Sequence, residues 1–374
     1  MCSGSAQHAQ NKVLDRVSSL TRELASHEDA PSVAFPFGLA RRRIAAPARI
    51  PPQNLTSTSR GAPLTTVFAA IAPVFALVLA GHVIRRTVVD HAEFWGGVDR
   101  VAYWVLLPSL LFNKISTMEL SAGFVGPYAI VVTGGFVGAF VFALVVSLLM
   151  GFPGPVASSV VQGASRHNTF IALATTERLF GAAGQASAYL ASSILIPITN
   201  IAVVVAMVML HRNKSTSPSL GRAIVRDIVR NPLLVAVVVG LAFNFAGVGK
   251  VPVLHDMTDL LGRAALPMVL LSIGAAIRLD GLRASIPPVA VSTAGKMIVF
   301  PLVILVLAQL FGLGLVPASV AMIYGAAATA TSSYALARQM GGDAPLAATI
   351  VTIQTLLCFL TIPLAVEITR AVIR

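Results

Sequence analysis

The chain has 374 residues, 56% of them hydrophobic and only 11% charged, where a soluble globular domain carries roughly 25% charged residues. That balance excludes an ordinary soluble domain and points to an all-α polytopic membrane protein. The formal net charge of +12 gives no nucleic-acid reading, because beyond the N-terminal tail most basic residues fall in short connections between apolar stretches, where they report orientation.

Residues 1–62 differ from the rest. They are rich in Ser, Ala, Pro and Arg, with Arg41-Arg42-Arg43 and Pro51-Pro52, and they lack the basic and apolar regions of a signal peptide. Two readings stand: a disordered tail, or a start assigned upstream of a protein that begins near Leu64.

From Thr65 onward the pattern predicts ten apolar spans, at about 65–84, 98–114, 126–150, 155–180, 186–211, 231–248, 256–276, 286–311, 316–338 and 345–370. Helices are expected, because backbone groups in lipid must be satisfied internally. The organisation expected is a first five-helix unit over 65–211, a cytoplasmic connector over 212–230 and a second five-helix unit over 231–374.

Basic residues set the orientation. Loops after spans one, five, seven and nine hold Arg85, Arg86, Arg100, Arg212, Lys214, Arg222, Arg226, Arg230, Arg278, Arg283 and Arg338. The opposite side holds Lys114, Arg178, Lys250 and Arg263. The first set is expected in the cytoplasm of a cell (inner) membrane protein, which leaves both termini outside. Arg41–Arg43, Arg370 and Arg374 oppose this assignment without overturning it.

The two halves echo each other. Gly81 and Pro108 are 27 residues apart, and so are Gly240 and Pro267. Leu107-Pro108-Ser109-Leu110-Leu111 resembles Leu266-Pro267-Met268-Val269-Leu270, and each half closes on an Ile-Pro step, at Pro197 and Pro363. Five spans is an odd number, so the second half enters the bilayer from the opposite side. That is the inverted repeat of secondary transporters. Pro108, Pro197, Pro267 and Pro363 are expected as helix breaks.

The chemistry-bearing residues are few. Arg166-His167-Asn168-Thr169 interrupts the fourth span, and Thr329-Ala330-Thr331-Ser332-Ser333 interrupts the ninth. An Arg at the centre of a membrane helix costs roughly 2.5–3.5 kcal/mol and is usually functional. A helix broken at Asn168 would present a positive dipole end to an anion. Asn168 can cap that helix and also donate its amide to a ligand; Arg166 offers a fork for a carboxylate. The structural alternative is that Asn168 and Thr169 cap a kink while Arg166 snorkels or pairs with a carbonyl. The hydroxyls of Thr329, Thr331, Ser332 and Ser333 suit a ligand or helix packing equally. Lys296 lies deep in the eighth span as a substrate counter-charge, a proton carrier or the partner of a carbonyl. Asn113, Asn200 and Asn244 are read as helix glue, and Asp256 and Asp259 as solvated. No HExxH, GxSxG or CxxC motif is present. No enzyme, cofactor or metal is expected, and Cys2 and Cys358 are too few for a disulfide framework.

These motifs resemble the auxin efflux carrier family, which spans bacterial organic-acid permeases and plant PIN carriers. The matching residues are Pro73-Val74-Phe75 with Gly81, Leu106-Leu107-Pro108-Ser109-Leu110-Leu111-Phe112, Arg166-His167-Asn168-Thr169, Asn231-Pro232-Leu233, Leu266-Pro267-Met268 with Gly274, and Ala328-Thr329-Ala330-Thr331-Ser332 with Ala335. The resemblance implies ten helices in two inverted five-helix repeats, with helices four and nine crossing at a break. It also implies external termini and elevator-type carriage of organic anions, with Asn168 at the substrate. Family members often carry Pro beside the break, where this chain has His167 and Ala328. The functional expectation is export of a small carboxylate. Cation-coupled uptake on the same fold and a non-transport membrane sensor remain as alternatives. A homodimer is compatible with this fold.

Overall fold

The structure, a computed structural model, describes residues 64–118, 122–211, 231–277 and 286–373. The N-terminal segment 1–62, the expected connector 212–230 and Arg374 lie outside the described residues, as do Arg278 and Arg283.

The described chain is helical. Helix α1 spans Leu64–Thr87. Helix α2 (Ala92–Val101) runs through a π turn, Ala102–Leu106, into α3 (Leu107–Thr117). Then come α4 (Ala122–Leu149), α5 (Gly154–Ser165) and α6 (Thr169–Leu210). The later part holds α7 (Pro232–Phe245) and α8 (Leu254–Ala276). Helix α9 (Ile286–Ala294) passes through a second π turn, Gly295–Val299, into α10 (Phe300–Leu310). The chain closes with α11 (Leu315–Ala326), α12 (Ser332–Met340) and α13 (Ala344–Val372).

Among the described residues, six helical stretches are long and apolar enough to cross a bilayer: Leu64–Thr87, Gly123–Leu149, Gly154–Leu210, Leu254–Ala276, Ile286–Leu310 and Ala344–Val372. Gly154–Leu210 contains two of the spans expected from sequence, and Pro232–Phe245 and Leu315–Ala326 are shorter apolar helices. Large apolar side chains point outward on many of these elements, among them Leu79, Leu149, Phe245, Leu260 and Leu310. In water such a surface would promote association; against lipid it costs nothing. The chain is a multi-pass membrane protein.

Two sets of packing contacts stand out. In one, α8 lies along α1, α3 along α7, and α8 against α3. In the other, α5 and α10 pack on α4, while α11 packs on α6, α10 and α13. The α1–α8 contact depends on two glycines. A Cβ at Gly81 would collide with the backbone of Leu271, and one at Gly274 with the backbone of Val78. Both positions let two helices approach backbone to backbone, the small-residue packing usual between membrane helices.

The expected proline breaks need correction. Pro197, Pro267 and Pro363 lie inside α6, α8 and α13 without ending them. A proline removes one helical hydrogen bond, and in a membrane bundle the neighbouring helices re-satisfy the freed group. Pro108 is the second residue of α3, directly after the π turn, so the widened turn absorbs the distortion. The interruptions fall elsewhere: at residues 166–168, at residues 327–331, and at Gly181, whose φ of 52° and ψ of −139° kink α6.

Candidate functional site: the crossing of two broken helices

Helix α5 ends where Arg166 turns extended, at φ −70° and ψ 154°, while its N–H still bonds Gln162 O at 2.9 Å. Asn168 then caps α6. Its Oδ1 accepts from the N–H groups of Phe170 and Ile171, both at 3.1 Å, the usual role of Asn at a helix N-cap. Helix α11 stops in the same manner. Ala327 is extended, at φ −68° and ψ 150°, and its N–H bonds Ile323 O at 2.8 Å.

The two breaks meet. The Asn168 N–H donates to Ala328 O at 2.7 Å. Gln354 of α13 ties them a second time: Thr329 N–H donates to its Oε1 at 2.9 Å, and its Nε2 donates to Gly163 O at 3.1 Å. The Thr329 hydroxyl donates to Gln162 O at 3.3 Å and lies 3.4 Å from Ser333 Oγ. Arg166 reaches across as well, with Nη2 donating to Asn200 Oδ1 at 3.0 Å and to Ser332 Oγ at 3.1 Å. Unwound backbone inside a membrane protein requires such partners, and here they come from both halves of the chain.

The expected site residues therefore divide. Arg166, Asn168, Thr329, Ser332 and Ser333 share one hydrogen-bonded crossing. Thr169 opens α6 and is buried. His167 is buried against Tyr324, with ring centres 5.4 Å apart, and neither ring nitrogen has a partner. Thr331 precedes α12, and its side chain makes no capping bond. The contacts of Lys296 are of another kind: its Nζ donates to Tyr324 O at 2.9 Å and lies 4.0 Å from the centre of the Phe300 ring. Of its three expected roles, the carbonyl partner is the one the contacts match.

The N–H groups expected to greet an anion at the start of α6 are partly engaged, since Asn168 Oδ1 holds two of them. What stays available is Asn168 Nδ2, on a residue only 2% exposed and without any hydrogen-bond partner. Gln162 Oε1 is likewise buried and unpartnered. Most buried polar atoms in proteins are paired; Asn168 Nδ2, Gln162 Oε1 and both His167 ring nitrogens are exceptions gathered near the crossing.

A cleft of about 580 Å³ opens between α1, α3 and α8 on one side and α6 on the other. Its walls include Pro73, Asn113, Lys114, Glu177, Arg178, Tyr189, Asp259 and Arg263. Ala174 also lines it, six residues beyond Asn168, or about 9 Å of helix rise. Asp259, read from sequence as solvated, keeps part of its side chain exposed and also pairs with Lys114 at 3.3 Å and Arg263 at 2.6 Å.

A family model described as "membrane transport protein" matches residues 66–366. The chain belongs to the auxin efflux carrier family. It is a membrane transport protein by that membership. A comparison with curated proteins finds none that matches.

Sequence reasoning missed Gln354, Gln162 and Tyr324. A lone amide inside an apolar span, as in Ile353-Gln354-Thr355, was the available signal. Asn200, read as helix glue, holds Arg166. Asn113 does match that reading, joining α3 to His255 O at 2.8 Å and to Thr258 Oγ1 at 3.0 Å.

Proposed function

We propose that this chain is a secondary carrier that exports a small carboxylate across the cytoplasmic membrane by alternating access. The observation that carries the reading is the buried, unpartnered Asn168 Nδ2 at the crossing of two broken helices. Asn168 donates to the anion, Arg166 offers its remaining guanidinium N–H groups, and Thr169 and His167 line the same turn. Thr331 and Ser332 border the site from the other half, while Thr329 and Ser333 hold its backbone in place. An inside-negative potential helps to expel an anion by about 2.3 kcal/mol per charge per 100 mV.

The architecture we infer is ten membrane helices in two inverted five-helix repeats, with both termini outside the cytoplasm and a homodimer as the assembly. A symmetry of contacts supports the repeat. Gly81 packs on the backbone of Leu271, four residues after Pro267, and its counterpart Gly240 packs on Ile115 and, slightly farther, on the carbonyl of Phe112, four residues after Pro108. Helix α1 thus meets α8 as α7 meets α3.

Reconstitution tests the function. Proteoliposomes are loaded with radiolabelled malonate, malate or indole-3-acetate, with and without an inside-negative potential. Potential-driven export of one anion, lost in Asn168→Ala, is the expected result. Full transport by folded Asn168→Ala sinks the site assignment, and flux of no anion by folded wild-type protein sinks the carboxylate reading.

A further inference from the structure

Lys296 is 0% exposed and belongs to the π turn that precedes α10. Its described contacts are a carbonyl and an aromatic face, the Tyr324 oxygen and the Phe300 ring; no carboxylate is among them. A buried ammonium is costly unless it is paired or placed in a favourable field.

The field here comes from a helix end. Tyr324 stands in the last turn of α11, where carbonyls lack helical partners and about half a negative elementary charge gathers. Three carbonyls nearby already accept from protein donors. Ile323 O accepts from Ala327 N at 2.8 Å, Ala326 O from Thr361 Oγ1 at 2.9 Å, and Ala328 O from Asn168 N at 2.7 Å. Tyr324 O takes the ammonium. Secondary carriers with broken helices use such half-helix C-terminal ends and unwound carbonyls to hold coupling cations.

We propose that the Lys296 ammonium is the resident cation of the second helix break, holding at Tyr324 O the place that a coupling ion would take, so that the transport cycle needs no sodium. Lys296 is then a positioning residue. It acts through Tyr324, whose ring packs on His167 and whose hydroxyl donates to Ala188 O at 2.7 Å. The sodium clause rests on the carrier reading; the role of the charge does not.

Two measurements separate these. Purified wild type, Lys296→Ala and Lys296→Met are melted in detergent, in sodium chloride and in choline chloride of equal ionic strength. The Ala variant is also melted with n-propylammonium or with n-propanol, probes of similar size with and without charge. Wild type should melt at the same temperature in both salts, and both variants lower. Propylammonium should raise the Ala variant and propanol should not. A wild-type midpoint raised by sodium, or rescue by the alcohol as good as by the amine, overturns the proposal. If Lys296→Ala does not fold, Lys296→Met decides, because it fills the volume without the charge; a Met variant as stable as wild type overturns it. In proteoliposomes, anion flux should be equal in the two salts, and sodium-dependent flux overturns the proposal. Absence of all flux counts against the carboxylate carrier alone, while the melting comparison still decides the role of the charge.

Discussion

The two helix breaks look alike in backbone and differ in what they leave unpaired. At the first, residues 166–168, a guanidinium, an imidazole and an amide are gathered within three residues, and Asn168 Nδ2 and both His167 ring nitrogens have no partner. At the second, residues 327–331, the polar groups look inward. Thr329 uses its N–H on Gln354 and its hydroxyl on Gln162 O, and Ala328 O accepts from Asn168. The side chains are small, and the cation at that end comes from another helix, through Lys296. Two breaks of similar backbone therefore need not share a task. On the proposed reading the first break reads the substrate, and the second shapes the wall it is read against.

The substitution that separates these tasks most sharply is Asn168→Asp. Asp caps a helix as well as Asn does, so its oxygen keeps the Phe170 and Ile171 N–H groups. It lacks the Nδ2 donor and adds a negative charge where an anion must bind. A hydrogen bond to a charged group is worth about 1.5–3 kcal/mol, so anion flux should fall by at least roughly 10- to 100-fold with the melting temperature nearly unchanged. Equal flux would remove Asn168 from the site; a collapse in stability would mean that the capping role had been misjudged.

The second break should respond in the opposite way, in stability before flux. Gln354→Leu keeps the volume near Gly163 and Thr329 but leaves a buried carbonyl and a buried N–H without partners. Each unsatisfied group costs about 1–3 kcal/mol. Thermal unfolding in detergent should therefore fall more for Gln354→Leu than for Asn168→Asp. A variant that melts like wild type would show that the crossing is held by packing alone.

These two residues also show where the sequence was legible. Arg166–Thr169 stands out because four polar residues interrupt an apolar span, and hydrocarbon makes such an interruption expensive. The long apolar helices were legible for the same reason, although six rather than ten are long and apolar enough to cross a bilayer among the described residues. Gln354 was not, because its meaning lies in a partner 191 positions away. Nor was Tyr324, an aromatic in an apolar run whose carbonyl and ring face different neighbours. The prolines misled in the other direction. A proline has a strong local signature, yet Pro197, Pro267 and Pro363 sit in continuous helices, while one true kink falls at Gly181 and the two crossings carry no proline. Local chemistry names the candidates for a break, and tertiary partners decide which backbone stays unwound.

The smallest effect is expected where the two breaks touch through side chains alone. Ser332 accepts from Arg166 Nη2 at 3.1 Å, but it is exposed, and the same nitrogen also donates to Asn200. In Ser332→Ala, water can take the vacated position, and a water-mediated bond is nearly as good as a direct one. The cost should stay below about 1 kcal/mol, seen as a rise in KM for the anion of no more than roughly fivefold, with maximal flux preserved. Asn200→Ala should exceed it, because Asn200 anchors Arg166 from within α6, beside the crossing, while Ser332 meets it from the exposed start of α12. If Ser332→Ala instead abolished flux, the guanidinium would depend on the second break for its aim. The division of labour between the two breaks would then give way to a site that both build equally.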